Sequence, residues 1–393
     1  MTPTYEDFFD DEQHQASRLK VEAYGKYLKP FAYKLLSWNQ QLYVVDGFAG
    51  AGRYSPDDSG REALGSPMVA AQIAHQYNVD HHREERQIRL INVEKKPEFY
   101  TRLCKNLAGF GDLCLNLPGR FDAQLDRIIE KIGGNPALFF LDSFGMQAAD
   151  VGVIDHILER REGFITEFLI HFSDKALTRL AGNLHAKTRR EVDRRAAQSK
   201  LRRVDEIIGT SWWRGCFTNS KLNTAEQRCD AAAELYMSQL EQRGIQFVNE
   251  LRMRDAYDDP PRYRLIFATR NPHGTYLMND IAAKHEAKLF SERFDGSFEL
   301  AWKRNERASQ RAALRDEIYA WGLQRGRARP LDVYLHFSPL HFARWETHDY
   351  DECLRELVDM GGIDRKSPRG IKNREHLRFI PIAQGTLFGS ADA

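Results

Sequence analysis

A chain of 393 residues, 42% hydrophobic and 29% charged, can bury a large core and has the length for two domains. Its net charge of +1 argues against a protein that seeks polyanions over its whole surface. Five cysteines, at 104, 114, 216, 229 and 353 with no paired short spacing, indicate neither a zinc site nor a disulfide framework.

No apolar run approaches the length of a bilayer span, and Thr4 to Glu12 is acidic, opposite to a signal peptide. The expected setting is therefore the cytoplasm, with no membrane partner. His14 to Ser37 predicts a helix, with Leu19, Ala23, Tyr27 and Phe31 at helical spacing and Pro30 marking a kink or break. Lys20, Tyr24 and Lys26 on that helix lie close in sequence to the strand that follows and can overhang its tip.

That strand is Leu42-Tyr43-Val44-Val45-Asp46, an apolar, β-branched and aromatic run of the kind buried in a parallel sheet. It breaks into Gly47-Phe48-Ala49-Gly50-Ala51-Gly52, where three glycines permit positive φ and let backbone N–H groups approach a ligand. Asp46 at the strand tip adds an acceptor. Strand, acid and Gly-x-x-Gly-x-Gly suit a nucleoside-bearing cofactor held without phosphate-clamping lysines, and S-adenosylmethionine (SAM) is the first candidate. Neither a phosphate-binding Gly-Lys-Ser/Thr loop nor Gly-x-Gly-x-x-Gly occurs, so nucleotide hydrolysis and nicotinamide chemistry lose ground. Asp46, Gly47, Phe48, Ala49, Gly50 and Gly52 are the cofactor candidates of this stretch. Arg53 and Tyr54 just beyond it are placed, with Lys20 and Tyr24, on the substrate side.

A polar loop, Ser55 to Arg61, leads to Gly65-Ser66-Pro67, where Ser66 reads as an N-cap and a further substrate-side candidate, and Pro67 as the first helical residue. Ile88 to Val93 is the next buried strand, ending in Glu94, the position from which such folds bond ribose hydroxyls. A helix, a weaker strand at Leu113 to Leu117 and a helix to Ile132 follow. Pro136 to Leu141 is a strand ending in Asp142-Ser143-Phe144-Gly145. Alternating strands and helices predict a parallel doubly wound sheet with its ligands beyond the carboxyl ends, where Asp46, Glu94 and Asp142 all fall.

A base amine is a poor nucleophile. A carboxylate and a nearby carbonyl can accept its hydrogens while an aromatic ring stacks on the base. Asp142, Ser143 and Phe144 supply those parts and are the catalytic candidates; the competing reading makes Asp142 a helix cap and Phe144 a core residue. His171 and the pair His81-His82 lack the spacing for metal or nucleophilic work, and no metal is expected.

Gly163 to Phe172 is a fifth strand. Between Lys175 and Arg203 ten Lys/Arg face two acids, an excess of eight, which suits a solvated helix or a nucleic-acid face. This stretch opens a helical insertion spanning about 174–244. Ile245 to Met253 and Tyr263 to Thr269, joined by a turn with Pro260-Pro261, form a hairpin that closes the sheet. After residue 300 the pattern changes to helices at Arg311 to Leu323, Leu331 to Phe337 and Tyr350 to Met360, a basic loop, and a strand near His376 to Pro381. The expected architecture is α/β: a Rossmann-like class I methyltransferase sheet of seven strands with a terminal antiparallel hairpin over 1–300, then a winged helix-turn-helix-like domain over 301–393.

Taken in order, Tyr43 to Tyr54, Gly65-Ser66-Pro67, Asp142-Ser143-Phe144-Gly145 and Tyr263 to Arg270 give a chain that resembles the three-Cys-motif partner (TcmP) family over roughly residues 15–300. The resemblance implies a SAM-dependent methyltransferase similar to the bacterial enzymes acting on adenine N6 of ribosomal RNA, and a radical-SAM-like partner with three cysteines. Two positions depart from that family. Its Asp-Pro-Phe-Gly stands here as Asp142-Ser143-Phe144-Gly145, and its Gly-Asp-Phe after the third strand as Gly119-Arg120-Phe121. Phe121 and Asp122, the acid one residue displaced, are the cofactor candidates there. The expected function is methyl transfer from SAM to an exocyclic amine of a nucleic-acid base. The alternative is a methyltransferase-like module that has lost turnover and recruits RNA, DNA or the three-Cys partner.

Overall fold

A computed structural model describes residues 15–38, 41–56, 62–81, 87–143, 145–160, 164–185, 190–294, 298–364 and 375–382. Phe144, His14, His82, the loop centre 57–61, Lys187, Arg189 and the basic loop at 365–374 lie outside them. The chain divides into two units, Met1–Asn271 and Pro272–Ala393.

The first unit is built on a seven-stranded sheet. Its strands are β1 (Gln41–Asp46), β4 (Gln87–Glu94), β5 (Cys114–Pro118), β6 (Ala137–Leu141), β7 (Thr166–Phe172), β8 (Phe247–Met253) and β9 (Tyr263–Thr269), in spatial order β5-β4-β1-β6-β7-β9-β8. The pairs from β5 to β7 are parallel; β9 runs antiparallel to both β7 and β8. This is the class I methyltransferase sheet that the strand pattern and the terminal hairpin predict. The polar segment after the glycine turn differs from expectation: Arg53–Pro56 (β2) pairs with Glu62–Leu64 (β3) as a small separate hairpin.

Side chains alternate between faces along each strand. Tyr43, Val45, Ile91, Val93, Phe139, Leu141 and Phe168 point to one side, where they are covered by α4 (Phe121–Ile132), α5 (Val151–Leu158), α7 (Glu191–Ile208) and α9 (Ala225–Gln242). On the other side α1 (Gln15–Leu36) lays Tyr24 on Phe140, ring centroids 4.5 Å apart, and Tyr27 against Phe267 at 5.0 Å. Burying one such ring contributes about 1.5–3 kcal/mol, so both layers hold the sheet firmly. Helix α1 continues through Pro30, where the sequence suggests a kink or break, so the chain does not break there.

Two buried polar clusters tie these layers together. On β9, Arg264 is fully buried and meets Asp174 at 3.0 Å, Glu250 at 2.7 Å and Asp230 at 2.6 Å. On β7, Glu167 accepts from Thr269 Oγ1 at 2.8 Å and, in a short bond, from the Tyr27 hydroxyl. Burial pushes the Glu167 carboxyl up to about 7, against the pull of those two hydroxyls. A carboxyl whose folded pKa exceeds its unfolded value contributes stability that is complete below the unfolded value, about 4.3. That contribution is lost as pH rises through about 7. Glu167→Gln cannot ionise, so it is expected to gain stability relative to the native chain between about pH 4.5 and about pH 7.5. Urea midpoints at the two pH values measure this, and a constant difference between the proteins counts against it.

The second unit holds α10 (Pro272–Phe294), α11 (Phe298–Arg325), α12 (Pro330–Leu340) and α13 (Thr347–Asp359). Three short antiparallel strands, β10 (Arg327–Ala328), β11 (Ile363–Asp364) and β12 (Leu377–Phe379), order as β10-β12-β11. Val333, Phe337, Trp345, Tyr350, Leu354, Leu377 and Phe379 form its own core. Among the described residues no helix is long and apolar enough to cross a membrane.

Candidate active site

Spatial order reverses at β1, which has β4 on one side and β6 on the other. A crevice opens beyond the carboxyl ends of the strands at such a switch point. The glycine turn lies there, and the amides of its first four residues are spent inside the protein. Gly47 N donates to Phe140 O at 3.0 Å, Phe48 N to Asp46 Oδ1 at 3.1 Å, Ala49 N to Val93 O at 2.9 Å and Gly50 N to Glu94 Oε2 at 2.8 Å. From Gly47 to Gly50 the turn therefore offers a ligand its shape rather than the N–H donors its glycines suggest. Gly50 and Gly52 adopt positive φ, 61° and 80°; Gly47 does not. Gly47 sits in a tight space, where a Cβ would come 3.0 Å from Leu141 Cδ2 and 3.1 Å from the Phe121 ring and those side chains would have to give way.

Asp46 is buried, and its Oδ2 accepts from Ser66 Oγ at 2.6 Å. Ser66 thus directs its hydroxyl to the strand tip, not to the start of its own helix α2 (Ser66–His81). Burial pushes the Asp46 carboxyl up to about 7; Ser66 and the Phe48 amide pull it down, while Asp142 and Glu94 add to the rise. Tyr24, fully buried, lies within electrostatic reach of Asp46, and its hydroxyl has no partner among the described residues.

Glu94 is also buried, with Oε2 on the Gly50 amide and Oε1 on the Lys96 amide at 2.7 Å. Burial raises its pKa in spite of those amides. It forms one wall of a cleft of about 300 Å³ that Gly47, Phe48, Phe121, Asp122 and Ser143 also line, with Arg203 at its edge. Phe48 and Phe121 stand 5.9 Å apart between centroids. Asp122 is held by Arg120, Nε to Oδ1 at 2.9 Å, and this bond lowers its pKa. Asp122 sits in the first turn of α4, whose start, Arg120 to Asp122, lines the cleft; its N-cap Arg120 makes no side-chain cap bond.

A second group gathers at the end of β6. Lys20 from α1 forms a close ion pair with Asp142 Oδ2, and its Nζ lies 5.6 Å from the Tyr263 ring centroid. Burial works against the Lys20 charge, yet Asp142, with Tyr54 and Asp46 behind it, holds its pKa above the ordinary value. Ser143 Oγ accepts from Ala148 N at 2.6 Å, so it caps the short turn that follows. Tyr54 is buried within electrostatic reach of Lys20 and Tyr263, whereas Arg53 takes part in the small hairpin. Lys26 lies away from the site, exposed and paired with Glu22 at 2.5 Å.

Sequence reasoning set His171 aside, and the structure places it here. Its Nδ1 lies 3.0 Å from Ser143 O and 3.7 Å from Asp142 Oδ1. Tyr263, in the sequence a strand residue and the start of the Tyr263 to Arg270 motif, meets His171 edge-on with its ring at 4.8 Å. The signal available was position: each stands at a strand end on the same side of the sheet as Asp142. Among the described residues no three His, Cys, Asp or Glu side chains gather as a metal site.

Fold and site together define a class I methyltransferase-type sheet with a ligand cleft at its switch point. No protein-family model matches the chain, and no curated protein matches it by sequence. Solved structures similar to it include a Legionella pneumophila protein of the DUF519 family, 12% identical with a TM-score of 0.40, covering 66% of this chain and 87% of that one. A putative O-methyltransferase from Klebsiella pneumoniae is 10% identical with a TM-score of 0.31 over 65% of this chain and 89% of that one. An O-methyltransferase from Bacillus cereus, solved in complex with SAH, is 8% identical with a TM-score of 0.31 over 66% and 92%.

Proposed function

We propose that the chain is a SAM-dependent methyltransferase acting on nucleic acid, with an exocyclic base amine of the adenine N6 kind as acceptor. The observation that carries this reading is the single cleft in which Glu94, Phe48, Phe121 and Asp122 converge beside the glycine turn. Its volume, about 300 Å³, lies at the lower end of the range of small-molecule sites, about 300–1,000 Å³. The residues suit an adenosyl ligand. Glu94 faces ribose hydroxyls, Phe48 and Phe121 flank a flat base, and Asp122 at a helix start accepts from an amino group. The orphaned Tyr24 hydroxyl and Asp46 provide polar contacts for the amino-acid end of the ligand.

SAM, when bound, supplies an electrophilic methyl group. The protein's part is positioning. Asp142 Oδ1 and the Ser143 carbonyl orient the acceptor, and the Lys20, Tyr54 and Tyr263 side chains close over the reaction and thin out water. Arg203, in the basic stretch, is spent on Asp150 at 2.6 Å and on Glu206 at 3.0 Å; Arg194 and Arg195 pair with Glu191. Lys175, Arg179, Lys200 and Arg202 are exposed with no acidic partner among the described residues, and Trp212 is 75% exposed nearby in sequence. Free cations with an exposed indole support contact with phosphates and unstacked bases. The second unit's helices and three-stranded sheet suit a winged helix, and the motifs quoted above suit the TcmP family with its three-Cys partner, in a cytoplasmic setting.

The close Lys20–Asp142 pair favours the second reading, a binding module without turnover, because it occupies one oxygen of the carboxylate the acceptor needs. Transfer of tritium from labelled SAM to mixed RNA and DNA separates the two. Label is expected with the native chain and a loss of about a hundredfold or more with Asp142→Ala. Equal label in both, or SAM binding with no label at all, sinks the catalytic reading.

A further inference from the structure

We infer that His171 is the proton acceptor of the transfer step, an assignment that rests on the methyltransferase reading above. Its Nδ1 lies 3.0 Å from the Ser143 carbonyl oxygen. A carbonyl only accepts, so Nδ1 carries the hydrogen and the ring's lone pair resides on Nε2. The charged and titratable groups around the ring are Asp142 from the end of β6, Lys20 from α1 and Tyr263 from β9. Burial pulls the imidazole pKa down to about 4, Lys20 reinforcing this and Asp142 opposing it, so the ring is neutral at pH 7 with an open base position.

The other acceptors at this end of the sheet are engaged, apart from Asp142 Oδ1 and the second lone pair of the Ser143 carbonyl, which orient the acceptor amine. Asp142 Oδ2 holds the Lys20 ammonium, the Ser143 carbonyl takes the His171 hydrogen, and Ser143 Oγ takes the Ala148 amide. An amine that gains a methyl group must lose a proton. As the nitrogen lone pair bonds to the methyl carbon, the electron pair that joined the methyl to sulfur stays on sulfur, and one N–H proton passes to Nε2. The resulting imidazolium is offset by Asp142, 3.7 Å from Nδ1. It then releases the proton to solvent, which reaches the 11% of the side chain that is exposed.

Two variants test this with distinct readouts. His171→Asn keeps an N–H donor for the Ser143 carbonyl and removes the base; His171→Ala leaves room for imidazole from the buffer. With tritiated SAM and a mixture of bulk RNA and single-stranded DNA, label is expected to fall about 10²–10⁴-fold in both. Imidazole should restore label to His171→Ala and not to Asp142→Ala, while calorimetric affinity for SAH stays within about threefold of native. Independently of turnover, nitrogen NMR of the native protein at pH 7 should show the neutral Nδ1–H tautomer at His171. Undiminished label in His171→Asn, an Nε2–H tautomer, or a protonated ring at pH 7 overturns the assignment alone. SAH binding without any label overturns it together with catalysis, and a native chain that binds neither SAM nor SAH overturns the methyltransferase reading itself.

Discussion

Glu94→Ala is expected to weaken binding of SAM and SAH about a hundredfold by titration calorimetry. Hydrogen bonds to a charged group contribute about 1.5–3 kcal/mol each, so losing the acceptor for two ribose hydroxyls costs about 3 kcal/mol, which is roughly two decades in affinity. The same carboxylate anchors the turn through Gly50 N and the next loop through Lys96 N, so its removal also loosens the cleft walls. Glu94→Gln should fall between native and alanine, because one amide oxygen can serve only part of that set while its NH₂ faces a backbone donor. An affinity within about threefold of native for Glu94→Ala would remove Glu94 from the cofactor site.

Arg264→Met should have the largest effect on the fold. It removes one guanidinium, which leaves buried Asp174 with no cation against it among the described residues and Asp230 and Glu250 with only Arg252, at 3.2 and 2.7 Å. Breaking a buried pair in this way costs about 3–5 kcal/mol, a large part of the stability of most domains. The loss should depend on pH. Burial already raises the Asp174 pKa, with Arg264 pulling it down, so the variant's carboxyls rise further. Stability from a raised carboxyl is present at low pH and lost as pH rises, hence the deficit should be smaller at about pH 5 than at about pH 8. Urea denaturation of both proteins at the two pH values measures it. A deficit independent of pH would mean that lost packing, not charge, dominates.

The sheet was legible because its strands are short, apolar and β-branched. Leu42 to Asp46 and Ile88 to Glu94 end in an acid and Ala137 to Leu141 is followed by one, Asp142, and the order of elements then left few topologies. The hairpin Arg53–Pro56 with Glu62–Leu64 was missed because its residues are polar and pair only with each other. Within the site, position was readable and partnership was not. Glycines at 47, 50 and 52 announce a turn, but where the amides of Gly47, Ala49 and Gly50 go depends on Phe140, Val93 and Glu94, residues far away in the chain. The same holds for Lys20 with Asp142 and for His171 with Ser143, whose contacts exist only once α1, β6 and β7 are packed together.

Arg264 has a consequence for the helical segment between β7 and β8. One guanidinium on the closing hairpin reaches Asp174 at the segment's first helix, Asp230 on its last and Glu250 on the strand beyond. Leu201, Val204, Trp213 and Tyr236 from the segment also share a core with Phe139 and Phe168 of the sheet. The segment is therefore a keystone rather than an appendage: cutting it out or grafting it onto a related sheet should leave the scaffold unable to close, and proteolytic nicking within it should release no folded fragment.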